Sequence, residues 1–152
     1  MELLKDNFTI TSTRIVKAPR ELVFRAWTDP QHLQNWWGPK GFTNTFHEFD
    51  QRPGGRWKFT MHGPEKGHYQ NEVEFIQIEK PSLIYWKRIS QPLFSVLATF
   101  EEISADETKV IFNMIFDTPE ARDKLKPFVE DKNEENFDKL ESELEKMKTK
   151  YS

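Results

Sequence analysis

Residues 118–150 have the sequence TPEARDKLKPFVEDKNEENFDKLESELEKMKTK, which predicts one long C-terminal helix. Thr118 can cap the free amides of the first turn, and Pro119 suits the first helical position. Roughly 30 helical residues span about 45 Å, which is enough to cross a whole sheet. Apolar side chains recur every three to four residues, so we expect one face to pack against another layer. These side chains are Ala121, Leu125, Phe128, Val129, Phe137, Leu140, Leu144 and Met147.

The apolar face of this helix is interrupted near its middle. Extending the spacing from Val129 to Phe137 places Asn133 on the inward face, with Asn136 beside it. A buried amide without a hydrogen-bond partner costs about 1–3 kcal/mol. Three alternatives stay open: the two amides meet water or a ligand, they pair with polar groups of a sheet, or the middle of the helix is solvated.

The chain before this helix has the pattern of consecutive strands. Between residues 42 and 117, apolar alternation is interrupted by turn residues, which predicts six strands in succession. Residues 52–55, RPGG, fit a type II turn, and residues 62–68 suit a hairpin loop. The apolar parity switches between Phe75 and Ile76, which indicates a β-bulge. Six strands in immediate succession pair as a meander, so we expect a mostly antiparallel sheet.

The N-terminal part adds one strand and two short helices. Residues 8–16 alternate as a first strand, in which Arg14 shares the inward parity and needs a partner or the sheet rim. Pro19 suits the start of one helix, and Asp29 followed by Pro30 starts a second. Gly38 followed by proline ends it. The order of predicted strands and helices along the chain predicts an α+β fold.

The composition restricts the class of protein. At 152 residues the chain fits a single domain, residues 1–152, and its net charge of −3 gives no electrostatic reason to expect a nucleic-acid partner. The absence of cysteine excludes disulfides and thiolate zinc sites. Residues 1–6, MELLKD, lack the apolar core of a signal peptide, and no apolar run approaches the roughly 20 residues that span a bilayer. We therefore expect a cytoplasmic protein without membrane insertion.

Several motifs resemble those of the START-like (SRPBCC) superfamily, in the branch named after the activator of the ninety-kilodalton heat-shock-protein ATPase. The motifs are AP at 18–19, VFRAWTDP at 23–30, WWGP at 36–39 and DQRPGGRW at 50–57, followed by Phe137, Leu140 and Leu144. The resemblance covers nearly the whole chain. It implies a helix-grip fold, in which a curved antiparallel sheet wraps around the long C-terminal helix and two short helices follow the first strand.

The resemblance also implies a set of functions. Members mostly bind hydrophobic or aromatic small molecules in a central cavity, a few superfamily members are cyclases or hydrolases, and eukaryotic relatives assist the chaperone. Many relatives carry a Gly-Trp pair where this chain has Lys132 and Asn133. An amide in place of an indole would widen the cavity and offer a hydrogen-bonding group, so we hypothesise that Asn133 contacts the ligand.

The candidate ligand-binding residues combine inward aromatic positions of the sheet with the helix middle. Aromatic residues make up 14% of the chain, and large flat side chains both fill cores and line pockets. Bulky groups at all these inward positions would leave irregular gaps. The predicted set is Trp36, Phe59, Met61, Tyr69, Trp86, Phe100, Phe112, Met114, Phe128, Asn133 and Asn136.

Motifs for catalysis or for a cofactor do not occur. The chain has no Gly-x-Ser-x-Gly elbow, phosphate-binding loop or His-Glu-x-x-His motif. His62, His68 and Glu65 make only a weak metal site, so we assign no catalytic residue, metal or cofactor.

We predict binding of a hydrophobic small molecule, aromatic or lipid-like. The alternatives are a chaperone-associated protein that contacts its partner through its surface, and an enzyme resembling a polyketide cyclase or hydrolase, which would need a convergent acid/base pair.

Overall fold

The structure is a computed structural model that describes residues 6–151. Residues 1–5, on which the expectation of no signal peptide mainly rests, lie outside this range. The described chain forms seven strands and three helices. Their bounds are β1 Thr9–Val16, α1 Arg20–Thr28, α2 Pro30–Trp36, β2 Thr43–Phe49, β3 Arg56–His62, β4 His68–Glu79, β5 Leu83–Arg88, β6 Ser95–Ser104, β7 Glu107–Ile115 and α3 Pro119–Lys150.

All seven strands form one antiparallel sheet in the order β1-β7-β6-β5-β4-β3-β2. The meander predicted from β2 to β7 is confirmed, and β1 pairs with β7 at its end. The sheet curves around α3, and α1 and α2 follow β1, so the predicted α+β helix-grip fold is confirmed. No helix in residues 6–151 is both long and apolar enough to cross a bilayer.

The turn at residues 52–55 has the predicted type II geometry. Gly54 has a φ of 86°, and the Gly55 amide donates to the Arg52 carbonyl oxygen at 2.7 Å. A Cβ atom at Gly55 would overlap the carbonyl oxygen of Asp50, so this position admits no side chain. The turn also exchanges two backbone hydrogen bonds with Phe75, at the predicted bulge, where the β4–β5 register shifts. The β2–β3 connection is therefore fastened to β4.

One face of the sheet carries the inward side chains. Val73 lies opposite Trp57 on β3 and opposite Arg88 on β5, and Phe112 lies opposite Ala98 on β6. Alternate residues of a strand point to the same face, so these positions share the concave side that faces α3.

The two halves of α3 have different surroundings. Its fully buried residues all lie in the C-terminal half, where they pack against α1, α2 and β1. These residues are Phe137, Leu140, Glu143, Leu144 and Met147. The N-terminal half contains no fully buried residue, because it stands away from the sheet and leaves a cavity beneath it.

Arg14 has the partners that its inward position requires. Its guanidinium contacts carboxylate oxygens of Glu134 at 2.8 Å, Asp138 at 2.6 Å and Glu141 at 2.6 Å. Burial acts to lower the pKa of Arg14, but the hydrogen bonds to these three carboxylates outweigh it and raise the pKa above its ordinary value. Arg14 therefore holds the middle of α3 against β1.

Candidate ligand-binding cavity

A cavity of about 640 Å³ lies between the concave face of the sheet and the N-terminal half of α3. Strands β3 to β7 form its floor, and the segment 37–42 after α2 forms one side. Its volume lies in the range of pockets that hold drug-sized ligands. The cavity exists because α3 is packed tightly only in its C-terminal half.

The floor of the cavity is a cluster of aromatic rings. Trp57 stacks on Phe59 with 4.2 Å between ring centroids, and it meets the edges of Trp37 at 5.5 Å and Trp86 at 5.7 Å. The Trp57 Nε1 atom is buried without a hydrogen-bond partner within residues 6–151. Stacked and edge-on rings of this kind offer a large apolar surface of fixed shape.

Eight of the eleven predicted residues line this cavity. They lie on β3, β4, β5, β7 and α3, and the sheet curvature brings them around one space. The eight are Phe59, Met61, Tyr69, Trp86, Phe112, Met114, Asn133 and Asn136. Tyr69 is 55% exposed, so it lies at the rim rather than on the floor.

Two predicted residues, Trp36 and Phe100, belong to the core behind the cavity. Trp36 is fully buried, and its Nε1 donates to the carbonyl oxygen of Ala26 at 2.9 Å. Phe100 packs against Phe24 at 5.7 Å and Trp27 at 5.4 Å. Trp36 joins α2 to α1, Phe100 joins the sheet to α1, and neither is among the residues lining the cavity.

Phe128 is also outside the cavity, although it was predicted to line it. Its side chain is 66% exposed. Leu125 and Val129 are four residues apart and set the inward face of this turn, and Phe128 is rotated about 100° from Val129 around the helix. Val129 lines the cavity in its place.

The two asparagines of the helix middle pair with other parts of the protein. Asn133 Nδ2 donates to Ser12 Oγ on β1 at 3.2 Å, and Asn136 Oδ1 accepts from the Gly38 amide at 2.6 Å. Of the three alternatives left open by the sequence, pairing with protein groups applies to both, and Asn133 pairs with the sheet. Both residues also line the cavity, so each amide is positioned before any ligand arrives.

The segment 38–42 is attached to α3 by a second side chain. Lys139 Nζ donates to the carbonyl oxygens of Pro39 at 3.3 Å and Phe42 at 2.9 Å. Burial lowers the pKa of Lys139. Since Gly38, Pro39 and Phe42 all line the cavity, these bonds from α3 fix one of its sides.

Sequence reasoning missed several lining residues, and strand parity could have identified two of them. Arg88 shares its parity on β5 with Trp86, and Asn71 shares its parity on β4 with Tyr69. Trp37 lines the cavity where its neighbour Trp36 was predicted, because α2 ends between them. The other members of the lining that were not predicted are Gly38, Pro39, Phe42, Trp57, His68, Gln70, Val73, Gln91, Pro92, Phe94, Val96, Val129, Lys132 and Phe137.

Arg88 is the charged group of the sheet wall. Its Nε donates to the Pro92 carbonyl oxygen at 2.8 Å, and its Nη2 donates to Ser90 Oγ at 3.2 Å and to the Gln91 carbonyl oxygen at 3.3 Å. Burial lowers the pKa of Arg88 to about 10, so the group stays protonated at neutral pH. These bonds also hold the β5–β6 loop in place.

The candidate metal ligands and acid/base groups do not form a complete site within residues 6–151. His62 and His68 approach to 2.7 Å between their Nδ1 atoms, but no three His, Asp or Glu side chains among residues 6–151 are grouped to hold a metal ion. Glu72 follows Asn71 on β4 and therefore faces the other side of the sheet, where it binds Arg56 at 2.8 Å. It does not join Tyr69 at the cavity.

Comparisons with known proteins agree with this architecture. The profile of the family described as "Activator of Hsp90 ATPase homolog 1-like protein" matches residues 17–145. A crystal structure of a protein from Nitrosomonas europaea has a TM-score of 0.87 at 21% identity, covering 96% of this chain and 99% of that one. A solution structure from Staphylococcus epidermidis has a TM-score of 0.82 at 23% identity, covering 97% and 95%. The AHSA1 protein from Silicibacter pomeroyi has a TM-score of 0.74 at 18% identity, covering 90% and 96%. A comparison with curated proteins found no match.

Proposed function

The chain belongs to the family of Activator of Hsp90 ATPase homolog 1-like proteins, and from this premise we propose that it binds an apolar small molecule, aromatic or lipid-like, in the cavity under α3. The observation that carries the proposal is the aromatic floor of a cavity of about 640 Å³. Trp37, Trp57 and Trp86 all line it.

Burial of apolar surface is the source of affinity in this proposal. Each Å² of apolar surface removed from water contributes about 25 cal/mol. The floor rings are held by their neighbours, so little side-chain ordering opposes binding. Asn133 and Asn136 are held by Ser12 and Gly38, and their remaining hydrogen-bonding capacity can orient a polar group of the ligand.

Two neutral probes, flavanone and 1-decanol, test this function. We expect either probe to change the tryptophan fluorescence, because three tryptophans line the cavity. Calorimetry should give a negative heat-capacity change, which accompanies apolar burial. Asn133→Trp should lower the affinity by about tenfold or more, because an indole at this lining position would fill the cavity.

A matched variant controls this experiment. Asp131 is exposed on the same helix and outside the lining, so Asp131→Trp should leave the affinity within about twofold of the wild type. Absence of a fluorescence change and of heat with both probes, and with carboxylic acids of the same apolar body, would refute the proposed function. Equal binding to the wild type and the Asn133→Trp variant would place the site elsewhere.

A second candidate function is contact with a chaperone, as the family description suggests. Phe128, which is 66% exposed on α3 and outside the cavity, favours it, because an exposed aromatic side chain suits a protein interface. Stimulation of an Hsp90 ATPase that is lost in Phe128→Ser, without a response to the two probes, would favour this function. The cytoplasmic location and the single-domain organisation stay predictions.

A further inference from the structure

The cavity has the opposite charge to the protein as a whole. The chain carries a net charge of −3, with 25 acidic residues against 22 basic ones. Among residues 6–151, however, the cavity lining contains Arg88 and Lys132 and no Asp or Glu. The lining therefore favours an anion over a cation or a neutral group.

Arg88 lacks the carboxylate partner that arginines elsewhere on this sheet have. Arg56 on β3 binds Glu72, and Arg14 on β1 binds three carboxylates. Within the described chain no carboxylate oxygen lies within 4.0 Å of Arg88, whose hydrogen bonds go to two carbonyl oxygens and one hydroxyl. Its Nη1 makes no hydrogen bond to residues 6–151, so two N–H donors are unused.

Lys132 provides a second positive charge on the opposite wall. It lies on α3, is exposed, and lines the cavity. Four acidic residues lie within three positions of it along the helix, yet none of them forms an ion pair with it in the described structure. The charge of Lys132 is therefore available to a ligand that enters from solvent.

Arg88 is partly buried, and even a partly buried charge is less stable without a counter-charge than with one. The lowered pKa of Arg88 reflects this cost of burial. An anion in the cavity would offset the cost, whereas a neutral ligand would leave it in place. The free protein therefore gains more from an anionic ligand than from a neutral one of the same shape.

We propose that the ligand is an amphiphilic carboxylic acid, whose apolar body lies on the aromatic floor and whose carboxylate accepts hydrogen bonds from Nη1 of Arg88. This inference rests on the proposed function of the cavity. Lys132 attracts the carboxylate at the rim. Only one nitrogen of Arg88, Nη1, is left without a hydrogen bond, so we choose a monoanionic carboxylate over a phosphate monoester, which carries nearly two charges at neutral pH.

Pairs of probes with the same apolar body, one with an anionic and one with a neutral headgroup, test the inference on the wild-type protein. Decanoic acid is compared with 1-decanol, and 2-naphthoic acid with 2-naphthamide, so that the two pairs also separate an aliphatic from an aromatic body. By calorimetry at neutral pH, we expect at least one acid to bind about tenfold more tightly than its neutral counterpart. Equal affinities within both pairs would overturn the inference, as would tighter binding of decyl phosphate than of decanoic acid.

Variants of β5 assign the preference to Arg88. Arg88→Gln should reduce the affinity for the acid to that for its neutral counterpart, and Arg88→Lys should retain part of the preference.

Lys87→Gln is the control, because it removes the same charge from the neighbouring exposed residue, whose side chain points to the other face of the sheet. This variant should keep the full preference for the acid. An acid preference that survives in Arg88→Gln would refute the role of Arg88. If Arg88→Gln does not fold, Arg88→Lys takes its place: we expect a reduced acid preference, and a preference equal to that of the wild type would contradict the role of Arg88.

The outcomes separate this inference from the function on which it rests. Binding of the neutral probes without a preference for the acids would leave the proposed function standing and overturn the inference. Failure of neutral and acidic probes alike would overturn both.

Discussion

A buried polar cluster made by His32, Glu143 and Tyr151 joins α2 to the end of α3. Nδ1 of His32 donates to Glu143 Oε2 at 2.8 Å, and its Nε2 lies 2.7 Å from the Tyr151 hydroxyl. Asn35 Nδ2 also donates to Glu143 Oε2, at 3.2 Å. The side chains of His32 and Glu143 are only 6% exposed, so the pair is shielded from water. If one partner is removed, water cannot readily replace the lost hydrogen bond of the other.

At this residue scale, we predict that Glu143→Ala destabilises the protein by about 2 kcal/mol, because His32 and Asn35 lose their common acceptor in a buried site. Urea unfolding measures the change. Glu145→Ala is the control, since Glu145 is exposed and its ion pair with Lys148 is a surface pair worth at most about 0.5 kcal/mol. Similar losses in the two variants would show that the cluster contributes no more than surface charge.

Connections between elements determine the shape of the cavity wall. The turn at residues 52–55 is bonded to Phe75 of β4, and the segment 38–42 is bonded to Asn136 and Lys139 of α3. In both connections, backbone N–H or C=O groups form hydrogen bonds with a neighbouring strand or helix. A change in either connection would therefore move strands or loops that line the cavity.

At the element scale, the two glycines of the 52–55 turn should respond differently to alanine. A Cβ atom at Gly54 would meet no atom within 4 Å, so Gly54→Ala costs only the strain of its positive φ, about 1–2 kcal/mol. Gly55→Ala would overlap the Asp50 carbonyl oxygen, and we expect a loss of more than about 3 kcal/mol. Thermal or urea unfolding of both variants checks the order. A Gly55→Ala protein as stable as Gly54→Ala would contradict the geometry of this turn.

Over the whole molecule, packing is concentrated at one end of α3 and binding capacity at the other. The C-terminal half of this helix is buried against α1, α2 and β1, whereas the N-terminal half covers the cavity. The N-terminal half has only partly buried apolar contacts, and a segment with fewer buried contacts has a lower free energy of local opening. The same helix therefore acts as a core element and as the cover of the proposed site.

This whole-molecule division predicts a gradient of amide hydrogen exchange along α3. Amides of residues 123–135 should exchange faster than amides of residues 137–147. Binding of a ligand under the helix should slow exchange in the first range and leave the second nearly unchanged. Mass spectrometry of peptic fragments measures both ranges, and uniform exchange along α3 would show that the cavity does not weaken its N-terminal half.

Much of the fold follows from local sequence signals. The turn at residues 52–55, the bulge after Phe75 and the caps at Asp29 and Thr118 depend on near neighbours, and each was predicted correctly. The eight predicted residues that line the cavity follow from alternation on strands and from the interrupted face of α3, and their contact with a ligand stays a prediction. These features are local because backbone torsions and strand alternation are set within a few residues.

Tertiary structure alone decided which inward residues meet the cavity and which meet the core. Phe100 and Phe112 share an inward face, yet Phe100 is covered by α1 and Phe112 faces the cavity, because the short helices fill only one end of the sheet. The hydrogen bond of Asn133 to Ser12 likewise joins residues far apart in the chain. The sequence by itself determined the elements and their order. The site was decided by how far α3 stands from the sheet, which is a distance set by packing at its other end.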